Sequence, residues 1–316
     1  MTTYWEQQRE RSTVAALHLM IWASLFFGRF IIRLVLWPIV GYFLLTSPAA
    51  RRYSRHALQR LLGRAPRLRD VAQHFYNFAM CAVDRLYLLK DKRHQFRIDV
   101  SRPAEVVSVA TRSSGCLLLV AHVGSFEPLR MLGTVEHKLP ITILMDRKQG
   151  KMLVKLLERI NPDFALQVID AAQRGPELML QLKDALQGGR MVCIMADRAR
   201  ADERAFSVDF CGSPARFPEG PWALAAALGV PVILGFGLYR GGRHYSAHFE
   251  LFSERIQAPR PLRAAFLQDC AQRYAQRLEH YARLAPYNWF NFYDYWADET
   301  AGSVVRHANP PPSITQ

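Results

Sequence analysis

Two residues near the middle of the chain, His122 and Glu127, have the types and spacing that proton transfer requires. His122 opens the run His-Val-Gly-Ser-Phe-Glu, which follows a short apolar stretch. Transfer of an acyl group to a hydroxyl needs a base that takes the alcohol proton as the carbonyl is attacked, and imidazole serves near neutral pH. A carboxylate can hold the imidazole tautomer and stabilise the imidazolium. We therefore interpret His122 as the base and Glu127 as its partner; a satisfied structural histidine is the alternative.

Four apolar runs alternate with helical patterns around this pair and predict short buried strands. The predicted strands cover residues 117–120, 141–145, 165–169 and 191–196. Helices are expected from about Phe126, over 151–160 and over 177–186. Such alternation predicts an α/β fold with a mostly parallel central sheet flanked by helices. In the later part of the chain, a strand at 230–238 is expected to pair with one at 245–252 across Arg-Gly-Gly-Arg. Gly220–Leu228 and residues 262–284 are predicted to be helical.

Three groups of polar residues follow the predicted strands directly. They are His122, Asp146 with Arg147, and Asp197 with Arg198. Ligands of open α/β sheets bind beyond the carboxyl ends of the strands, so their common position indicates one site. The two arginines are candidates for a phosphate or carboxylate contact, with a salt bridge to the neighbouring Asp as an equal alternative. Asp197 could equally orient a loop or touch substrate.

Several sequence blocks, taken in order, resemble a known superfamily. His122 to Glu127 resembles the histidine, four residues, acidic residue motif of the lysophospholipid acyltransferases, and most of all their lipid A biosynthesis (late acyltransferase) branch. Residues 217–220 (Phe-Pro-Glu-Gly) and 229–232 (Gly-Val-Pro-Val) are similar to the third and fourth blocks. Asp197-Arg198 and 210–215 stand where that branch carries an Asp-containing loop and a Phe-Gly-x-x-Ala segment.

The resemblance implies a glycerolphosphate-acyltransferase-like fold and an acyltransferase with an acyl-carrier-protein or coenzyme A thioester as co-substrate. It also implies a lipid acceptor, with Glu219 and Gly220 helping to bind it. No cofactor and no metal are expected. The C-terminal aromatic run at 286–296 differs from the arginine-rich ending associated with enzymes of lipid A and looks more like a side branch for polyene-type lipids. The acceptor is therefore lipid A-like or a related glycolipid or polyene lipid.

The N-terminal part of the chain predicts attachment to a membrane. Residues 14–45 are apolar except for Arg29 and Arg33, which fall on one helix face, and seven arginines crowd into 51–69. A helix that spans a bilayer needs roughly 20 apolar residues, so neither apolar half suffices alone, and an interfacial helix fits equally well. Arginines beside such a segment stay on the cytoplasmic side. We expect a membrane-associated segment at 1–70, an acyltransferase domain at 71–300, a disordered tail at 301–316, and a location on the cytoplasmic face of the bacterial inner membrane.

Composition leaves few other classes of function. The formal net charge of +14 could serve nucleic acid, but the arginines adjoin an apolar segment and no nucleic-acid motif is present. The five cysteines are far apart, which favours reduced, buried thiols over zinc or disulfides. A catalytically silent protein that binds lipid or carrier protein at the membrane surface is the main alternative. A thioesterase would use the same donor with water as acceptor.

Overall fold

A computed structural model describes residues 14–90, 92–101, 104–112, 115–136, 140–147, 167–173, 175–200, 202–257 and 260–296. A seven-stranded sheet lies at its centre. The strands, in chain order, are β1 Arg97–Ser101, β2 Cys116–Gly124, β3 Ile141–Met145, β4 Val168–Asp170, β5 Met191–Met195, β6 Ala205–Phe210, β7 Ser213–Pro218, β8 Val232–Gly241 and β9 His244–Ser253. The central sheet has the order β1-β9-β8-β2-β5-β3-β4, and β6 and β7 form a separate hairpin.

Helices cover both faces of the sheet. In the described ranges they are α1 Val14–Thr46, α2 Pro48–Leu62, α3 Leu68–Leu89, α4 Ala104–Arg112, α5 Glu127–Glu136, α6 Pro176–Gln187, α7 Gly220–Leu228 and α8 Arg263–Leu284. Short 3-10 turns stand at Arg93–Gln95, Arg260–Leu262 and Pro286–Asn288. The helix predicted over 151–160 and the tail predicted at 301–316 lie outside the described residues.

The predicted α/β fold with a mostly parallel sheet is confirmed. All pairings in the central sheet are parallel except β8 with β9, which form the antiparallel hairpin expected around Arg-Gly-Gly-Arg. Strand β2 shows why such sheets have continuous apolar runs, because both of its faces are covered. Leu117 and Leu119 pack on the side of α7 and α8, whereas Leu118 and Val120 pack on the side of α4 and α5.

Helix α1 is one continuous element that runs through both apolar halves of the N-terminal stretch. Its Ile32, Leu36 and Val40 are buried among residues of α3. In the described residues, no single helix has the length and apolarity to cross a bilayer. Ile31–Thr46 and Pro48–Leu62, bent by 100°, reach that length and apolarity only when they are taken together.

Arg29 of α1 lies inside the protein, whereas Arg33 is exposed. The guanidinium of Arg29 is buried and makes two hydrogen bonds of 2.6 Å to the carboxylate of Asp84 on α3. Tyr245 of β9 also donates to Asp84, at 2.7 Å. A buried charge needs such pairing, so an internal ion pair attaches α1 to α3, and Tyr245 links that pair to the sheet.

Candidate active site

The carboxyl ends of β2 and β5 bring His122 and Asp197 together. Nδ1 of His122 lies 2.8 Å from Oδ1 of Asp197, and the backbone N–H of His122 donates to Oδ2 at 3.1 Å. Because the carboxylate accepts at Nδ1, that nitrogen carries the proton and Nε2 is left as the basic nitrogen. Asp197 is buried, whereas the His122 side chain is 37% exposed, so the imidazole can meet a substrate.

The ionisation of Asp197 suits a partner for imidazole. Burial alone would raise its pKa, but the charge and hydrogen bonds of His122, with the charge of Arg198, hold that pKa below its usual range. The carboxyl group therefore stays ionised at neutral pH. An ionised, buried carboxylate can fix the imidazole tautomer and stabilise an imidazolium.

Glu127 makes different contacts from those that the sequence predicts. Its buried carboxylate lies 3.0 Å from Nε of Arg85 on α3 and 2.7 Å from Nε of Arg130 on α5. The imidazole is hydrogen-bonded to Asp197, a carboxylate that the sequence did not predict as its partner. The catalytic importance of Glu127 stays a prediction.

The turn between His122 and Glu127 explains the glycine of this motif. Gly124 has φ +62°, and a Cβ at this position would lie 2.0 Å from the carbonyl oxygen of Gly237 on β8. The next residue, Ser125, donates its backbone N–H to that same oxygen at 2.7 Å. Only glycine tolerates both the left-handed conformation and the close approach. The turn thereby places His122 at the carboxyl end of β2 and Glu127 at the start of α5.

The other predicted residues at this edge are mostly engaged with neighbouring side chains. Asp146 pairs with Arg200 at 2.8 Å, and the backbone N–H of Arg147 donates to Oδ1 of Asp170 at 3.2 Å. Arg198 lies 3.9 Å from Asp197, and its terminal nitrogen donates to the carbonyl oxygen of Phe290 at 2.6 Å. The guanidinium of Arg198 also lies over the ring of Tyr293, 5.2 Å from its centroid.

Glu219 and Gly220 stand at the junction of β7 and α7. The carboxylate of Glu219 pairs with Nε of Arg204 at 3.0 Å, and Gly220 is the first residue of α7. The preceding Phe217 is buried and contacts the ring of Tyr295, whose hydroxyl donates to the carbonyl of Asp197 at 2.5 Å. Through these contacts the Phe-Pro-Glu-Gly block reaches the His122–Asp197 pair.

The C-terminal aromatic residues pack on the domain beside His122, a position that their sequence did not indicate. The backbone N–H of Phe290 donates to the carbonyl of His122 at 3.1 Å, and Trp289 forms an antiparallel bridge with Val123. Trp289 and Trp296 are buried. The high density of aromatic residues at 286–296 indicates that this segment packs on the domain, but it does not indicate against which part of the domain.

The five cysteines take no part in this site. Each is buried and unpaired, as predicted. Burial raises the pKa of the Cys116 thiol to about 12, and the thiol of Cys211 is shifted in the same way. Such thiols are poor nucleophiles, so a cysteine-based mechanism is not supported.

Comparisons with known proteins bear on the reaction class of the chain. The family model of the bacterial lipid A biosynthesis acyltransferases matches residues 10–297. A phosphatidylinositol mannoside acyltransferase of Mycobacterium tuberculosis is 25% identical over 190 residues, which are 60% of this chain and 57% of that relative. The match thus spans less than two thirds of the length of that relative. Since the family model covers most of the sequence, the chain belongs to the bacterial lipid A biosynthesis acyltransferase family.

Proposed function

We propose that this acyltransferase moves a fatty acyl group from an acyl-carrier-protein or coenzyme A thioester to a hydroxyl of a lipid, with His122 as general base. The observation that carries the proposal is the His122–Asp197 hydrogen bond of 2.8 Å at the carboxyl edge of the sheet. Family membership supports the reaction class, because the family is one of acyltransferases.

In the proposed mechanism the acceptor hydroxyl is itself the nucleophile. Nε2 of His122 takes its proton as the oxygen attacks the thioester carbonyl. The tetrahedral intermediate then collapses, the C–S bond breaks, and the imidazolium returns the proton to the leaving thiolate. A positioned base of this kind contributes ~10²–10⁴ in rate.

Two carboxylates have separate parts in this mechanism. Asp197 orients the imidazole and compensates the charge of the imidazolium, because its ionised carboxylate touches Nδ1. Glu127 fixes the first turn of α5 against α3 through Arg85 and Arg130, and thereby supports the glycine turn behind the base. Substitution of Asp197 and substitution of Glu127 should therefore both lower activity, but for different physical reasons.

We propose that the substrates approach over the same edge of the sheet. Arg147 and Arg198 are our candidates for anionic groups of the donor or acceptor, and Glu219 and Gly220 for the acceptor. The acceptor is a lipid of the lipid A type or another glycolipid. The named activity of the mycobacterial relative supports an acceptor other than lipid A, and a polyene lipid remains the other candidate. Mass spectrometry of lipids from cells with and without the protein identifies the acceptor.

We further propose that the protein works at the cytoplasmic face of the inner membrane. Support comes from large apolar side chains of α1 that stay exposed after it packs on α3, among them Leu34, Trp37 and Leu45. Helix α2 follows at 100° and exposes Arg52 and Arg55. An apolar face beside a basic helix suits a bilayer with anionic headgroups.

The base assignment is tested by His122→Ala, assayed with an acyl thioester and membrane lipid extract. We expect turnover to fall at least 10²-fold while the folded protein still sediments with membranes. If more than about a tenth of the rate is kept, equivalent to less than ~1.4 kcal/mol, His122 is not the base. Thioester hydrolysis that continues without acceptor would instead identify a thioesterase.

A further inference from the structure

The backbone ladder between β2 and β5 ends before it reaches the catalytic pair. Its last paired residues are Val120 and Met195, followed by a hydrogen bond of 3.0 Å from the N–H of Ala196 to the carbonyl of Val120. His122 and Asp197 both lie beyond this point. Ladder hydrogen bonds set the relative position of neighbouring strands, so the pair needs another source of alignment.

Residues 289–296, which we call the strap, supply backbone contacts at this point. The N–H of Phe290 donates to the carbonyl of His122 at 3.1 Å. The hydroxyl of Tyr295 donates to the carbonyl of Asp197 at 2.5 Å. Arg198, the neighbour of Asp197, donates to the carbonyl of Phe290 at 2.6 Å. The strap therefore joins the ends of the two strands that carry the pair.

Packing holds the Tyr295 hydroxyl in place. The ring of Tyr295 contacts Trp289, Trp296 and Phe210, with centroids 4.9, 5.2 and 5.8 Å away. Trp289 is itself fixed, because its carbonyl is hydrogen-bonded to Nε2 of the buried His74 at 2.9 Å. Buried aromatic contacts of this kind leave little freedom for the hydroxyl.

We propose that Tyr295 is a positioning residue for acyl transfer, acting through the backbone of Asp197. This inference rests on the proposed function of the pair. Both carboxylate oxygens of Asp197 accept from the same residue, His122, so a small rotation of the Asp197 backbone displaces both hydrogen bonds together. A displacement of 1 Å at a reacting group can cost about 10²-fold in rate.

The test is Tyr295→Phe, which keeps the packed ring and removes only the donor. We expect kcat to fall roughly 10-fold, with KM for thioester and lipid unchanged. The matched control is Tyr281→Phe, because that hydroxyl, on α8, donates at 2.7 Å to Glu250 and not to the pair. It should lower the melting temperature by a similar amount and leave kcat unchanged. Equal losses of kcat in both variants would make Tyr295 a structural residue and overturn the inference.

A double-mutant cycle separates positioning from general destabilisation. If Tyr295 acts through Asp197, Tyr295→Phe should cause no further loss of kcat in an Asp197→Asn background. Multiplicative losses would contradict the proposal. A readout independent of turnover is the downfield proton resonance of Nδ1–H of His122, identified by its absence in His122→Ala. It should shift in Tyr295→Phe and not in Tyr281→Phe. An unchanged resonance refutes the positioning role, whereas an active His122→Ala variant refutes the base assignment instead.

Discussion

Replacing Asp197 by Asn tests which carboxylate serves the base. The amide keeps the shape of the side chain, but only one of its two terminal atoms can accept a hydrogen bond. In the structure both terminal atoms of Asp197 are acceptors, one for Nδ1 of His122 and one for the backbone N–H. Whichever way the amide turns, an N–H group of Asn faces either the backbone N–H or Nδ1. The second orientation favours the tautomer whose Nε2 is protonated and cannot act as a base.

The expected magnitude follows from these contacts. The wrong tautomer and the lost compensation of the imidazolium should reduce kcat by about 10³–10⁴, equivalent to about 4–5.5 kcal/mol. The loss of unfolding free energy should be smaller, about 1.5–3 kcal/mol for a charge-assisted hydrogen bond. The assay is steady-state acyl transfer from a thioester to extracted lipid, beside urea unfolding of the same preparation.

Glu127→Gln is the matched comparison for Asp197→Asn. It also neutralises a buried carboxylate, but it leaves Arg85 and Arg130 without their carboxylate partner. We expect an unfolding free energy lower by about 3 kcal/mol and a partial loss of kcat that follows the loss of folded protein. If Glu127→Gln abolishes turnover at unchanged stability while Asp197→Asn keeps it, the assignment of Asp197 as the orienting partner is wrong.

Three further outcomes are expected. Arg29→Ala should lower the unfolding free energy by about 3–5 kcal/mol in urea melts, because it leaves Asp84 buried without its cation; a change below about 1 kcal/mol would contradict this. Burial lowers the pKa of His74 to about 4, so stability should fall as pH drops from about 6.5 to 4, by up to about 3 kcal/mol. Thermal melts of His74→Gln should lack this slope, and an equal slope would exclude His74 as its source. Changing Leu34, Trp37 and Leu45 together to Ser should reduce the fraction of protein that still sediments with vesicles at high salt, because salt screens charge but not apolar burial. An unchanged fraction would show that α1 does not contact the membrane.

The sequence could predict the central strands of the sheet but not the edge strand β1. Strands β2, β3 and β5 are apolar runs because both faces are covered, and β3 has the predicted bounds Ile141–Met145. Strand β1, Arg97–Ser101, was missed because it pairs only with β9 and keeps its charged residues exposed. A short edge strand with charges has no apolar signal.

The partner of His122 was missed for a topological reason. In the sheet order, β2 lies next to β5, whereas β3, which follows β2 in the chain, lies on the far side of β5. Residues 75 positions apart therefore meet at one edge. Spacing in the chain cannot reveal this adjacency, although the position of Asp197 directly after a strand did mark it as part of the site.

The spacing from His122 to Glu127 has a geometric cause that explains why the glutamate pairs with arginines. A strand end, a glycine turn and the first residue of a helix fill these positions, and α5 begins at Glu127 itself. A carboxylate in the first helical turn is favoured by the helix dipole, and Arg130 stands three residues on, on the same helix face. Arg85 on α3 then pairs with the other oxygen. The motif thus fixes the turn that presents His122, while the adjacent strand supplies the carboxylate that is hydrogen-bonded to the imidazole.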